Sequence, residues 1–258
     1  MKNLFLAFLA VVFLCPGMIA QGITIHQYRR IDPANMQEYL KRETTYWSKL
    51  AEQEVKKGNL TFWAILQRVG GEDIQNSPNI LIINSFNNMD TSNEIWDGIE
   101  ELFPDVKMED MTTWNLGKTL STIYLRSLGN HTEPENTNME EDFKYVHIIY
   151  HDTKDAGKHL TFEAEKWKPV IKKAMDEGKT TMKGWGNAVV ISPESPDFPY
   201  NTQSYDLFSS MTDALRPAFS EDFTWPEDFV FPEDNYNGPR NSHLYRIVQA
   251  VTAPPPAE

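Results

Sequence analysis

Two glutamates and two histidines are the residues of this 258-residue sequence best suited to acid–base chemistry. Glu43 and Glu163 each lie three residues after a leucine and four before a tryptophan, on an apolar helical stripe that should face a sheet. A carboxylate facing a packed interior is costly unless it is hydrogen-bonded or protonated, and a raised pKa of this kind is typical of general acids and bases. His26 and His147 fall at matched positions on the first predicted strand of each half. On one shared face, a glutamate and a histidine would form a pair that activates water or a substrate hydroxyl.

The sequence is also compatible with a purely structural role for these four residues. Each glutamate would then reach the edge of its stripe, or bond a strand side chain. The histidines would form a purely structural hydrogen bond to the carboxylates, or never meet them.

A metal site is not predicted. His147 and His151 are four residues apart, which on a strand puts them on one face but roughly 13 Å apart, too far for one ion. No pattern connects His159 to either residue, and a haem ligand has no stronger signal. Cys15 is the only cysteine and lies in a predicted leader, so the mature chain has no thiolate ligand. We therefore predict neither a metal nor a cofactor.

Aromatic residues on the predicted strands are the candidates for lining a ligand cavity. They are Trp63, Trp185, Tyr28, Tyr124 and Tyr245. Aromatic-lined cavities suit apolar or planar ligands, although core filling is the more frequent role of such residues.

The elements that must position these residues follow the order βαββαβ, twice. In the first half the predicted strands are 23–30, 60–69, 79–86 and 119–127, with helices at 33–57 and 89–103. In the second half the predicted strands are 145–151, 185–191, 204–208 and 243–251, with helices at 155–177 and 210–219. Asp32 before a proline is typical of a helix N-terminus, and Gly58 and Gly178 are typical of helix C-termini.

The two halves match each other at nearly constant offsets. The segments around Glu43 and Glu163 align at an offset of 120, together with the glycine that ends each helix. Further matches, at offsets up to 122, join Phe86 to Phe208, Tyr124 to Tyr245, and His26 to His147. A fixed offset carried through several elements predicts a duplicated domain.

The halves also differ, and the differences set the domain boundaries. Pro169 falls inside the second long helix, which it should kink or restart. Residues 129–142 are acidic and polar and form the predicted linker, so the repeats are 21–128 and 143–251. The loop 220–242 sets aromatic residues among prolines and acids, which favours an ordered flap. Residues 252–258 are predicted to form a flexible tail.

This duplicated unit, with its long first helix and glycine-terminated turn, resembles the dimeric α+β barrel superfamily. That group includes antibiotic-biosynthesis monooxygenase-like, NIPSNAP-like and stress-responsive barrel domains. The resemblance covers roughly 23–251 and rests on element order and aromatic placement. It implies an α+β fold in which two ferredoxin-like βαββαβ repeats pack as an internal pseudo-dimeric α+β barrel. No catalytic residue is carried over, because the superfamily's positions do not match this sequence residue by residue.

The N-terminus predicts export. An apolar run over 4–14, too short to span a bilayer, is followed by small residues ending at Ala20, the layout of a signal peptide over 1–20 that is cleaved before Gln21. We expect a periplasmic or extracellular protein; an uncleaved anchor and a lipid-modified Cys15 are weaker alternatives. The formal net charge of −13 opposes binding to nucleic acid and to anionic membrane surfaces, so neither is an expected partner.

Three functions remain open from the sequence. The first is binding of a small apolar or aromatic molecule in a cavity between sheet and helices. The second is a cofactor-independent oxygenase or isomerase that uses a Glu/His pair. The third is a protein- or glycan-interaction module, with the aromatic acidic segment 223–236 of the loop as the docking surface.

Overall fold

The computed structural model describes residues 22–71, 74–90, 92 and 94–252. The predicted leader 1–20, with Cys15 and the cleavage point, lies outside the described residues, as do residues 253–258 of the predicted tail. Thr252 belongs to the last strand rather than to the tail. Within the described ranges, no helix combines the length and the apolar character needed to cross a membrane.

Eight antiparallel strands close into one barrel. They are β1 (Ile23–Ile31), β2 (Leu60–Arg68), β3 (Ile80–Phe86), β4 (Gly117–Ser127), β5 (Tyr145–His151), β6 (Gly184–Ser192), β7 (Thr202–Phe208) and β8 (Asn241–Thr252). Their order around the barrel is β1-β3-β2-β8-β5-β7-β6-β4. The first four strands therefore lie in the order β4-β1-β3-β2, and the last four in the equivalent order β8-β5-β7-β6. The pairs β2–β8 and β4–β6 join the two quartets.

Two long helices cover the outer face of the barrel, and each contains a π-helical turn at a glutamate. The first runs over 33–57, and its Ser48 N–H bonds the Glu43 carbonyl, five residues back. The second runs over 156–176, and its Lys168 N–H bonds the Glu163 carbonyl in the same way. Pro169 lies just after this π-helical turn, as the second residue of the α-helical segment that completes the long helix. Turns of this kind are frequent at functional sites.

Each long helix is divided by its π-helical turn, Glu43–Trp47 or Glu163–Trp167, into two α-helical segments, and the described helices outside these two are short. In chain order, the α-helices are α1 (Met36–Arg42), α2 (Ser48–Lys57), α3 (Ile99–Leu102), α4 (Met108–Met111), α5 (Met139–Asp142), α6 (Ala156–Phe162), α7 (Lys168–Asp176) and α8 (Met211–Leu215). The 3₁₀ turns are Pro33–Asn35, Glu94–Trp96, Trp114–Leu116 and Glu233–Asn235. The helix predicted over 89–103 is therefore shorter and broken, and the one predicted over 210–219 reduces to α8. The predicted linker 129–142 includes α5.

The ends of the long helices follow from their capping residues. The Asp32 carboxylate accepts the Ala34 N–H at the first helix, and Asp155 accepts the Lys158 N–H at the second. Gly58 and Gly178 follow the helical segments with φ of 81° and 64°, a left-handed conformation that glycine adopts without strain. The predicted ends at Gly58 and Gly178 are confirmed.

The two faces of the barrel strands carry different cores. Along β5, Val146, Ile148 and Tyr150 face the barrel interior and pack with residues from the other strands. Ile149 and His151, at the alternate positions, face the second long helix. A residue's strand position therefore decides whether it belongs to the barrel interior or to the space between sheet and helix.

Candidate functional site

The candidate site is a cavity between the second long helix and the outer face of the barrel. Its volume is about 460 Å³. Aromatic side chains from helix, strand and loop form much of its wall, and titratable groups form the rest. The aromatic residues are Phe162, Trp167, Trp185, Phe231 and Tyr236; the titratable ones include His151, His159, Glu163, Asp206 and Arg240.

A larger depression lies on the solvent side of the same helix. It has a volume of about 680 Å³ and is lined by residues such as Lys168, Lys172 and Glu177. These are charged side chains at helical spacing on a solvent-facing surface, and they do not converge on a buried group. We therefore place the chemistry in the smaller cavity.

Two histidines and a glutamate converge at the inner end of the cavity. His159 and Glu163 are one helical turn apart, and His151 is the last residue of β5. Each residue offers one donor atom, and the three atoms lie within 4.8 Å of one another. His159 Nε2 is 3.3 Å from Glu163 Oε1. All three side chains are buried, with exposed fractions of 6% or less.

Neighbouring side chains hold each of the three residues in place. Ser204 Oγ is 3.0 Å from Nε2 of His151. Tyr236 Oη is 3.2 Å from Nδ1 of His159. The Asn187 amide donates to Oε2 of Glu163 over 2.8 Å. Tyr236 and Asn187 therefore engage the atoms of His159 and Glu163 that are not in contact with each other.

Burial and nearby charge change the titration of the residues around this cluster. Burial, with smaller contributions from His159 and Arg240, lowers the pKa of His151 to about 3. Burial and the Glu163 carboxylate raise the pKa of Asp206 to about 7, although Arg240 opposes the shift. His151 is therefore neutral at pH 7, and Arg240 is the cation at the exposed mouth of the cavity.

The equivalent place in the first half holds a different set of side chains. Arg29 pairs with Ile80 in β1–β3 as His151 pairs with Thr202 in β5–β7, so Arg29 stands at the position of His151. Four residues before Glu43 stands Tyr39, where the second half has His159. A buried guanidinium and a phenol thus replace the two imidazoles.

The first-half cluster is closed by its own hydrogen bonds. Arg29 donates to Tyr39 Oη over 3.4 Å and to the Thr113 carbonyl over 3.1 Å, and it stacks on the Trp114 ring at 4.8 Å. Thr113 Oγ1 donates to Glu43 Oε1 over 2.8 Å. Burial raises the pKa of Glu43, while the bonds from Thr113 and Tyr39 and the charge of Arg29 oppose the shift. This arrangement fits the structural interpretation of Glu43.

His26 lies inside the barrel rather than beside Glu43. Its Nδ1 is 2.8 Å from Tyr150 Oη, which also accepts a hydrogen bond from Tyr28 Oη over 3.1 Å. Burial lowers the pKa of His26 to about 3. The sheet separates this imidazole from the helix that carries Glu43, so the proposed first-half pair does not form.

His147 does not meet Glu163 either. Its ring contacts Phe208, and it is half-buried on the helix side of β5. In the strand register, His147 pairs with Asp206 and corresponds to Ile25, which pairs with Asn84. Phe86 pairs with the first residue of β1, and Phe208 pairs with the first residue of β5. Counted from these pairs, His26 is the fourth residue of its strand and His147 is the third. The two histidines are therefore not at equivalent positions. That difference puts them on opposite faces of the sheet.

The predicted aromatic ligand residues are distributed over both faces of the barrel. Trp185 lines the cavity. Trp63 is buried in the core under the first long helix, and Tyr28 and Tyr245 are buried in the barrel interior. Tyr124 on β4 is half-buried. The structure therefore brings one of these five residues, Trp185, to the candidate site.

The loop 220–242 covers the cavity. Trp225, Phe229 and Phe231 pack against the Trp167 ring, with centroid distances of 6.2, 6.0 and 5.6 Å. Asn235 is buried: its side chain accepts the Asp155 N–H and donates to the Asp155 carbonyl. Trp225, Phe229 and Phe231 of the loop thus contact the helix, and Trp225 and Phe231 also keep part of their surface exposed.

Sequence reasoning missed His151 and His159 as members of the site. The signal that was available is the His159–Glu163 spacing of four, which puts both residues on one face of a helix. Ser204, Asn187 and Asp206 carried no signal, because single polar residues within apolar strands have many structural roles.

Comparison with known proteins shows the fold. No protein-family model matches the chain, and no curated protein sequence matches it. Among solved structures, an anthrone oxidase-like protein is similar over 90% of this chain and 94% of its own, at 12% identity and a TM-score of 0.51. A candidate monooxygenase from Fusobacterium nucleatum is similar over 91% and 96%, at 12% identity and a TM-score of 0.54. The predicted fold type, an α+β barrel, is confirmed.

Proposed function

We propose that this protein binds a small apolar or aromatic molecule in the cavity under the second long helix. The observation that carries the proposal is the cavity itself, about 460 Å³ with Trp167 and Trp185 among its walls. Pockets that bind small organic molecules combine such aromatic walls with a few convergent polar groups. The equivalent place in the first half is filled by Arg29 and Tyr39, so only the second half is assigned this role.

Native mass spectrometry of protein purified from its own host tests whether a ligand is retained. Gly238 is one of the residues that line the cavity, and a Cβ atom added there meets no atom within 4 Å, so it is the position for a blocking variant. Gly238→Phe should leave the fold intact and block the mouth. Binding of 2-naphthol, followed by tryptophan fluorescence, should weaken by roughly tenfold or more.

Leu215→Phe is the control for that experiment. Leu215 is exposed on α8 and is not among the cavity-lining residues, so this variant adds an aromatic ring without touching the site. If Gly238→Phe and Leu215→Phe bind 2-naphthol as the wild type does, the cavity is not the binding site.

A second candidate is an enzyme, an oxygenase or an isomerase, that acts on the bound molecule. The 3.3 Å approach of His159 Nε2 to Glu163 Oε1 in a cavity open to solvent favours it. Glu163→Gln should then abolish conversion of the host-derived ligand, as followed by mass spectrometry, while Glu43→Gln retains it. Equal conversion by the wild type and Glu163→Gln would rule out this chemistry.

We also propose that the two strand quartets are tandem copies of a ferredoxin-like βαββαβ unit that pack as an internal pseudo-dimer. Support comes from their equivalent strand orders and from the π-helical turn that begins at Glu43 in one and at Glu163 in the other. Residues 21–128 and 143–252, produced as separate chains, should then reassociate into a barrel. Failure of the two fragments to associate would argue against independent units.

Export of the protein is proposed from the leader sequence alone. The mature chain should begin at Gln21, and intact-mass measurement of protein recovered outside the cytoplasm of its host tests this.

For the loop 220–242 we propose a role as the cover of the cavity, because its aromatic residues pack on Trp167. Docking of a protein or glycan partner there has less support.

A further inference from the structure

Two buried imidazole nitrogens at the inner end of the cavity lack a hydrogen-bond partner within the described part of the chain. They are Nδ1 of His151 and Nε2 of His159; the latter lies 3.3 Å from Glu163 Oε1, but this contact does not have the geometry of a hydrogen bond. The exposed fractions of these residues are 6% and 1%, so bulk water does not compensate for the missing bonds. Unsatisfied buried polar atoms are rare in folded proteins, and each one requires a physical explanation.

The third donor beside these nitrogens is the Glu163 carboxylate. The three donor atoms lie within 4.8 Å of one another, and the His159–Glu163 pair is already at 3.3 Å. Ligand atoms about 2.1 Å from a metal ion stand about 3.0 to 3.4 Å apart in tetrahedral or octahedral geometry. Small rotations of the side chains therefore suffice to place one ion between the three donors.

The hydrogen bonds around the cluster orient these donors toward one point. Ser204 engages Nε2 of His151, Tyr236 engages Nδ1 of His159, and Asn187 engages Oε2 of Glu163. Metal-binding histidines are typically held in this way, with the second ring nitrogen bonded to a neighbouring polar group.

The first half has a buried cation beside its glutamate, whereas the second half has a histidine at the equivalent position. Beside Glu43, the buried guanidinium of Arg29 supplies positive charge and donates through its two terminal nitrogens to Tyr39 and to the Thr113 carbonyl, while its Nε has no partner among the described residues. In the second half the position of Arg29 is taken by His151, and the nearby Arg240 is exposed at the cavity mouth. A buried carboxylate beside two imidazoles is a set of donors that can hold a cation.

We propose that His151, His159 and Glu163 bind one divalent first-row transition-metal ion, through Nδ1, Nε2 and the carboxylate. Two imidazoles and one carboxylate are donors that suit zinc, iron(II), cobalt(II) or manganese(II) rather than calcium or magnesium. Three protein ligands leave coordination positions open, and these face the cavity. A small molecule with an oxygen or nitrogen donor would complete the site.

Metal binding is measured directly on the full-length mature protein after removal of metal with a chelator. Titration with Co²⁺, followed by visible absorption, and with Zn²⁺, followed by calorimetry, should give one ion per chain. His159→Gln and Glu163→Gln should each weaken binding by roughly 100-fold or more, because each removes a direct ligand. Glu43→Gln, at the equivalent position in the first half, should change the affinity by less than about twofold.

A measurement on the wild type removes the dependence on variants that fold poorly. Bound Zn²⁺, which is diamagnetic and acts locally, should shift the imidazole NMR signals of His151 and His159 and leave those of His26 and His243 in place. The inference is overturned if neither Co²⁺ nor Zn²⁺ binds at micromolar concentrations. It is equally overturned if the direct-ligand variants, shown to be folded by circular dichroism, bind metal as the wild type does.

The metal site and the small-molecule site can fail separately. Fluorescence titration with 2-naphthol needs no metal, so its success in chelator-treated protein supports the cavity even where Co²⁺ fails to bind. Conversely, Gly238→Phe should block 2-naphthol and still bind Co²⁺, because this residue lies at the mouth and not in the cluster.

Discussion

Replacing the buried imidazole of His26 should remove part of the protein's sensitivity to acid. This side chain is 4% exposed inside the barrel, and its hydrogen-bond partner is Tyr150. His26→Asn keeps a polar group that can reach Tyr150 but removes the titrating ring. The variant loses packing contacts at every pH, so a comparison between two pH values isolates the effect of protonation.

The sign of the effect follows from the direction of the pKa shift. Burial lowers the pKa of His26 from 6.5 to about 3, so the unfolded chain takes up a proton where the folded chain does not. The stability is complete above about pH 6.5 and is lost progressively as the pH falls toward 3. One pKa unit corresponds to about 1.36 kcal/mol, so between pH 6.5 and pH 5 the free energy of unfolding falls by about 2 kcal/mol on account of His26.

Urea unfolding of both proteins near neutral pH and near pH 5 is the assay. The wild type should lose about 2 kcal/mol more than His26→Asn over this interval. His151, whose pKa is also lowered to about 3, contributes to both proteins and cancels in the difference. If His26→Asn loses as much stability as the wild type, the imidazole is not held neutral in the barrel and the reasoning is wrong.

Three further substitutions test other parts of the structure. Arg29→Lys should lower the free energy of unfolding by about 2 kcal/mol, because an ammonium group cannot both stack on Trp114 and keep the hydrogen bonds of the guanidinium. Chemical denaturation measures this loss, and an unchanged midpoint would contradict the prediction. Gly58→Ala should lower the free energy of unfolding by about 1 kcal/mol, because φ is positive at this position and no neighbouring atom adds a clash. A thermal melt measures this loss, and an unchanged melting temperature would mean that the backbone relaxes. Asn235→Ala should speed limited proteolysis of the covering loop by removing its two bonds to Asp155, and cleavage at the wild-type rate would show that the aromatic contacts alone hold the loop.

The elements of the fold were largely predictable because their signals are local. Alternating strands, the Asp32 cap and the left-handed glycines at Gly58 and Gly178 each depend on a few neighbouring residues. The short helices were not predictable in the same way. The predicted helix over 89–103 became two short pieces, since an apolar pattern does not show how the chain must turn to reach the next strand.

The candidate site was less predictable because it depends on strand register. Matching His26 with His147 was wrong by one residue, and a shift of one residue moves a strand side chain to the other face of the sheet. Glu163 lies buried on the helical stripe that was expected to face the sheet, and its place on that stripe is a local property. The approach of His151 to the His159–Glu163 pair depends on how helix and sheet pack, which no sequence spacing expresses.

The closure of both strand quartets within one chain has a consequence for how such a site can arise. In a barrel assembled from two identical chains, every substitution appears twice, so a histidine gained at one position is gained at both. Here a codon change alters one quartet and leaves the other as it was. Arg29 can therefore keep its hydrogen bonds to Tyr39 and Thr113 on one side while His151 at the equivalent position is free to serve a ligand. Covalent linkage of the quartets separates the selection for stability from the selection for chemistry.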